Sequence, residues 1–240
     1  MIEFQKYKDY LKLDVDRYPV IAVVGGGGKT SLIFRLAREL KEEKKRVIVT
    51  TTTHMAFEPD RPFALTGDIP AITQALDQYG YVVSTRRNKE NGKLCSPTDQ
   101  ELEQLKSLCD VLLVEADGSR QLPIKVPEKW EPVIPSVADI VISVVGLDCL
   151  GKPIKETAHR VERTAAFLKK NLDAPITPED VIKIASSICG LQKNVEDRIY
   201  RVYLNKADVL KDSKPAEEIV QGLKEQQKIA VYGSLKEQSC

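Results

Sequence analysis

The sequence predicts an α/β fold of three layers, a mostly parallel sheet between helices, and three observations predict it. Short, nearly continuous runs of Val, Ile and Leu recur along the chain. Longer stretches with helical spacing of apolar residues separate them. The first run opens directly into four glycines and a helical stretch. Strands buried on both faces read as unbroken apolar runs, and their alternation with helices is the pattern of parallel sheets.

The strands are predicted at Val20–Val24, Val47–Thr52, Tyr81–Ser84, Asp110–Glu115, Asp139–Val145, Tyr200–Leu204 and Ile229–Tyr232. Helical stretches follow at Thr30–Lys44, Pro70–Gln78, Thr98–Leu108, Glu156–Lys169, Pro178–Ser187 and Pro215–Gln226. In the first, Leu32, Ile33, Leu36, Ala37 and Leu40 share one face. Ser96 and Thr98 precede the helix beginning near Asp99 as capping signals, Thr177 stands where an N-cap belongs, and Pro178, Glu179 and Asp180 suit a first helical turn. Two places break the rhythm. Arg86–Gly92 reads as a solvated hairpin or loop, and Gly118–Ser136 contains Pro123, Pro127, Pro132 and Pro135, which exclude regular helix.

Length and composition bound the rest. At 240 residues, 42% hydrophobic and 30% charged, the chain suits one domain spanning residues 1–240. The near cancellation of 36 Lys and Arg by 35 Asp and Glu argues against a nucleic-acid partner held by bulk charge. No apolar run reaches the roughly 20 residues a membrane helix requires, so no membrane partner is expected. The polar Met1–Lys12 shows no secretory signal, and the five scattered cysteines form no CxxC pair; both fit a cytoplasmic protein with reduced thiols.

The run Val20–Val24 leads into Gly25, Gly26, Gly27, Gly28, Lys29, Thr30 and Ser31. Glycines let the backbone turn tightly and aim N–H groups at an anion, and the following helix offers its N-terminal N–H groups to the same anion. Lys29 supplies a charge for the β- and γ-phosphates, and the Thr30 hydroxyl can reach Mg²⁺. The first glycine of the usual G-x-x-x-x-G-K-[ST] spacing would fall at Val23, so this loop is short. Its form, Gly25-x-x-Gly28-Lys29-Thr30, resembles the loops of the Mur-type and folylpolyglutamate ligases.

Ligands collect at the carboxyl ends of parallel strands, so the other strand ends carry the remaining candidates. Thr50–Thr53 and His54 end the second run. Their hydroxyls suit Mg²⁺, water or a γ-phosphate, and equally reflect strand propensity. Glu115 and Asp117 end the fourth run; if the strand persists they share a face, one for metal and one for metal or the attacking water. Asn205, Lys206 and Asp208 end the sixth and resemble the base-recognition motif of phosphate-loop GTPases. A carboxylate there accepts two hydrogen bonds that guanine donates and adenine does not, which favours GTP over ATP. The resemblance gives Asn205 the role of orienting the loop and Lys206 that of packing over the base.

Taken together, Gly25–Ser31, Thr50–His54, Val114–Gly118, Leu122–Lys125, Glu131–Pro135, Val145–Asp148, His159–Arg160 and Leu204–Asp208 resemble the YqeC-type selenium-cofactor biosynthesis family. The resemblance spans nearly the whole chain in order. It implies a phosphate-loop NTPase-like fold; the residue chemistry read above makes Lys29, Glu115 and Asp117 the catalytic candidates and Thr30, Glu115 and Asp117 the Mg²⁺ ligands. The resemblance also implies a partner, a selenium-dependent molybdenum hydroxylase or its cofactor. Arg120, Lys125, His159 and Arg160 belong to the pattern, as binders of an anionic second substrate, as groups that help neutralise γ-phosphate charge, or as solvated charge. Trp130, the only tryptophan, is expected to anchor the proline-rich loop by packing. The expected function is a GTP- and Mg²⁺-dependent hydrolase or switch. The alternative is an ATP- or GTP-dependent transferase or ligase acting on a small anionic substrate.

Overall fold

A computed structural model describes residues 6–53, 60–87 and 94–236. His54 and most of the predicted Arg86–Gly92 loop lie outside them. The chain divides into two compact units. The first comprises Met1–Val23, Leu32–Asp117 and Val133–Ile140, and the second Val24–Ser31, Gly118–Pro132 and Val141–Cys240.

In chain order the elements are α1 (Tyr7–Tyr10), β1 (Val20–Gly25), α2 (Lys29–Glu42), β2 (Val47–Thr51), β3 (Phe63–Leu65), α3 (Ile69–Tyr79), β4 (Tyr81–Arg87), β5 (Leu94–Cys95), α4 (Asp99–Ser107) and β6 (Val111–Glu115). Then follow β7 (Ile124–Lys125), β8 (Ile140–Gly146), α5 (Ile154–Thr157), β9 (Ala158–His159), α6 (Val161–Leu168), α7 (Pro178–Ser186), β10 (Ile199–Asn205), α8 (Lys214–Glu225) and β11 (Ile229–Tyr232). No helix among them is long and apolar enough to cross a membrane.

In the first unit the strands lie in the order β1-β6-β2-β4-β3, all paired in parallel, with β5 antiparallel on β4. The register sets Val23 beside Glu115 and Glu115 beside Thr51, so these strand ends align. Every residue of β1, β2 and β6 is buried, which means both faces are covered. The apolar face of α2 contributes to that cover: Leu32, Ile33, Leu36, Ala37 and Leu40 are all buried. Thr98 caps α4 through a capping box with Glu101, while Asp68 caps α3 and left-handed Gly80 ends it.

In the second unit β8, β10 and β11 are neighbours in that order, and β10 pairs with β11 in parallel. A separate parallel ribbon joins β7 to β9, setting Ile124 beside Ala158 and Lys125 beside His159. Thr177 caps α7 through a capping box with Asp180, and Pro178 opens the helix. The α/β class and the parallel pairing follow the sequence reading.

The predicted helix Glu156–Lys169 does not form as one piece. It is cut by β9 and by Arg160, whose backbone is left-handed (φ 67°) before α6 begins. Pairing with β7 outweighs a helical periodicity that is continuous in sequence.

Candidate functional site

The second unit contains the glycine turn. Gly27 and Gly28 have φ of 75° and 130°, where side chains other than glycine's are strained. A Cβ on Gly27 would lie 2.3 Å from the Gly146 nitrogen, and one on Gly28 would lie 2.2 Å from Asn205 Nδ2. The glycines therefore serve conformation and close packing together. The Gly26 N–H donates to the Val144 carbonyl (2.8 Å) and the Gly27 N–H to the Leu122 carbonyl (3.0 Å). These two donors hold the turn in place and are spent within the protein.

Lys29 is 4% exposed. Its Nζ donates to the Gly25 carbonyl (2.9 Å) and to Ser119 Oγ (3.1 Å). Ser119 is a contact that sequence reasoning did not single out, because 90 residues separate it from Lys29.

The base motif reaches the same turn. Asn205 Nδ2 donates to the Gly27 carbonyl (2.7 Å), and its Oδ1 accepts from the Leu235 N–H (3.2 Å). Asn205 thus ties the turn to the segment after β11. Lys206, left-handed at φ 63°, forms an ion pair with Asp148 Oδ2 (2.7 Å). Asp208 is exposed in the short 3₁₀ turn Ala207–Val209, whose first N–H donates to the Gly233 carbonyl (3.0 Å). Asp148 was legible only as part of a motif; its partnership with Lys206 depends on bringing two strand ends together.

In the first unit, Glu115 and Asp117 are buried at 8% and 1% exposure. Strand β6 stops at Glu115, so the alternation that would have put both carboxylates on one strand face does not extend to Asp117. The threonine run is largely engaged in structure. Thr51 Oγ1 donates to the Glu115 carbonyl (2.9 Å), Thr52 Oγ1 to the Val133 carbonyl (2.6 Å), and the Thr53 N–H to Thr51 Oγ1 (3.0 Å).

Two readings of the proline-rich loop change. Lys125 is not solvated: it is completely buried, and its Nζ donates to the Gly118 carbonyl (2.7 Å) and to Glu131 Oε2 (2.8 Å). Trp130 is 67% exposed and is no packing anchor; the Arg160 guanidinium lies 5.9 Å from its ring centroid. Glu131 also accepts from Arg160 (2.8 Å) and from the Glu128 N–H (3.1 Å). Burial would raise the Glu131 carboxyl, but the Arg160 and Lys125 hydrogen bonds outweigh it and hold the group at about 2.

A parallel α/β chain whose first strand runs through four glycines into a lysine-bearing helix has the architecture of the phosphate-loop proteins. Within that class, the chain belongs to the YqeC family: residues 21–162 match the family model described as YqeC protein. It is 33% identical over 222 residues to the YqeC protein of Escherichia coli (strain K12), covering 90% of this chain and 87% of that one.

Solved structures show weaker likeness. The MinC:MinD cell division protein complex of Aquifex aeolicus is 18% identical, covering 90% of this chain and 80% of its own, at a TM-score of 0.46. The hydrogenase maturation factor HypB of Archaeoglobus fulgidus is 12% identical, with coverages of 95% and 86%, at 0.43. The signal recognition particle receptor FtsY of Elizabethkingia anophelis is 15% identical, with coverages of 92% and 59%, at 0.45. The fold assignment rests on the strand pairings and the glycine turn.

Proposed function

We propose that this chain is a cytoplasmic, GTP- and Mg²⁺-dependent nucleoside triphosphatase or switch. In the reading that its family resemblance implies, it assists maturation of selenium-dependent molybdenum hydroxylases. The observation that supports the nucleotide reading is the Asn205–Gly27 hydrogen bond, which ties the Asn205–Asp208 segment to the glycine turn.

In this reading the triphosphate lies against the N–H groups of Gly28 to Ser31, with Lys29 on the β- and γ-phosphates. Asp208 accepts from the guanine N1–H and amine. Thr30 offers a hydroxyl and Glu115 and Asp117 carboxylates, each the hard oxygen donor type that suits Mg²⁺, an ion that when bound would neutralise charge on phosphate oxygens. Water attacks the γ-phosphorus, the bond to the β,γ-bridging oxygen breaks, and GDP and phosphate leave. The protein's part is positioning and charge stabilisation. In this reading Lys29 turns from Ser119 to phosphate when nucleotide arrives, and that exchange couples occupancy to the loop carrying Ser119.

The short glycine spacing favours a second reading, transfer to a small anionic acceptor. Calorimetry with GTP, GDP, ATP and ADP, with and without Mg²⁺, followed by phosphate release, tests both. The first reading expects tighter GTP than ATP binding and phosphate release without an acceptor. Acceptor-dependent turnover to a phosphorylated product selects the second, and a folded chain that binds no purine nucleotide overturns both.

A further inference from the structure

A second basic centre lies in the unit that holds the glycine turn, and nucleotide binding gives it no task. Its base is the β7–β9 ribbon, whose register makes Lys125 and His159 direct neighbours. Glu131 receives Lys125 on one carboxylate oxygen and Arg160 on the other. Arg120, in the loop before β7, adds a further positive charge acting on His159. It is exposed, and both it and Gln121 have left-handed backbones (φ 47° and 64°).

His159 is the unexplained member. It is 8% exposed, and its Nδ1 makes no hydrogen bond among the described residues. A buried polar atom without a partner is unfavourable and rare. The charged groups facing the ring are Lys125 from β7, Arg160 beside it in the chain, and Glu131 and Arg120 from the proline-rich loop. Burial first, then the Lys125 and Arg160 charges, keep the ring neutral and push its pKa down to about 4. Among the described residues, three cations and one carboxylate thus act on an imidazole that is neutral and unsatisfied at Nδ1.

This centre adjoins the phosphate turn. Lys125 donates to the Gly118 carbonyl and Lys29 to the hydroxyl of the next residue, Ser119. Covalent geometry then keeps the two ammonium nitrogens within about 11 Å of each other.

We propose that Arg120, His159 and Arg160 form a second anion site that takes a compact oxyanion, the carboxylate or tetrahedral oxyanion group of a second substrate. Its role as a second-substrate site rests on the reading of Gly25–Ser31 as the nucleotide site. An arriving anion offsets the cationic repulsion that adds to burial in keeping the imidazole neutral. His159 then takes up a proton, Nδ1 gains a partner, and anion affinity rises as pH falls.

The chain has two histidines, so in a His54→Gln variant the remaining imidazole signal belongs to His159. NMR titration of that signal is run on the full chain with a non-hydrolysable GTP analogue present, in sulfate, acetate or chloride. The proposal expects sulfate or acetate to raise the His159 pKa by about one unit, equivalent to roughly tenfold tighter binding to the protonated ring. Sulfate alone assigns a tetrahedral oxyanion, and acetate alone a carboxylate. Arg120→Ala, at an exposed position, must lose the shift. No shift, a shift that Arg120→Ala retains, or an equal shift in chloride overturns the proposal. Analogue binding, followed by calorimetry in the same samples, separates the two claims. Its failure removes the nucleotide reading, whereas an unmoved histidine beside a bound analogue removes only this inference.

Discussion

In the glycine turn, four consecutive residues without side chains pass so close to Val144, Leu122, Gly146 and Asn205 that no Cβ fits. Residues 118–132 follow an equally irregular course, yet Gly118 is their only glycine, and Arg120 and Gln121 adopt positive φ with full side chains. The first loop is specified by steric exclusion within a few residues. The second is specified by a charge cluster, buried Lys125 with half-buried Glu131 and Arg160, whose members come from separate parts of the chain. A loop shaped by sterics tolerates no substitution but is indifferent to pH. A loop shaped by charge answers to protonation, and substitutions test that contrast.

The largest effect is expected from Gly27→Ala, which combines a strained φ with a 2.3 Å approach to the Gly146 nitrogen. Chemical denaturation should show a loss of roughly 3 kcal/mol. A stable variant would show that the turn can move aside. Lys29→Ala leaves the turn's shape to the glycines and removes its charge. Nucleotide affinity should fall on the order of 100-fold in calorimetry, with little change in melting temperature. Unchanged affinity would remove Lys29 from the phosphate site.

Glu131→Gln should cost roughly 2 kcal/mol, and the cost should depend on pH. A carboxylate held at about 2 rather than its ordinary 4.5 contributes stability that is present above 4.5 and lost as pH falls toward 2. His159 acts in the same direction but higher. Its folded value near 4 lies below the ordinary 6.5, so the unfolded chain takes up protons first and stability falls as pH drops from 6.5 to 4. Denaturation midpoints across pH should show Glu131→Gln flattening the lower window and His159→Gln the upper. An unaltered profile in either variant would mean that the charge cluster does not shape its loop. The smallest effect is expected from Asp208→Ala, a reduction of roughly tenfold in the preference for GTP over ATP with phosphate contacts intact. Undiminished discrimination in competition binding would place base recognition elsewhere.

Much of the architecture was readable before folding because its causes are local. Seven apolar runs became strands, and Thr98 and Thr177 capped the helices they precede. The short strands β3, β5, β7 and β9 were not readable, since two or three residues carry no periodicity and form only against a partner. The same cause broke the helix expected over Glu156–Lys169. Among candidate site residues, Lys29 and Asn205 announced themselves by motif. The burial of Lys125 and the exposure of Trp130 ran against residue-type expectation, because pairing with Glu131 rather than hydropathy decides where Lys125 lies.

The linear chain was enough to set the β1–glycine–α2 unit, the parallel strand class and the family, because glycine sterics and the hydrophobic period act between residues that are neighbours in sequence. Folding alone brought Lys125 beside His159, Asp148 to Lys206 and Ser119 to Lys29. Those contacts join residues tens of positions apart, and their energies come from burial and charge pairing that exist only once the strands have been laid side by side.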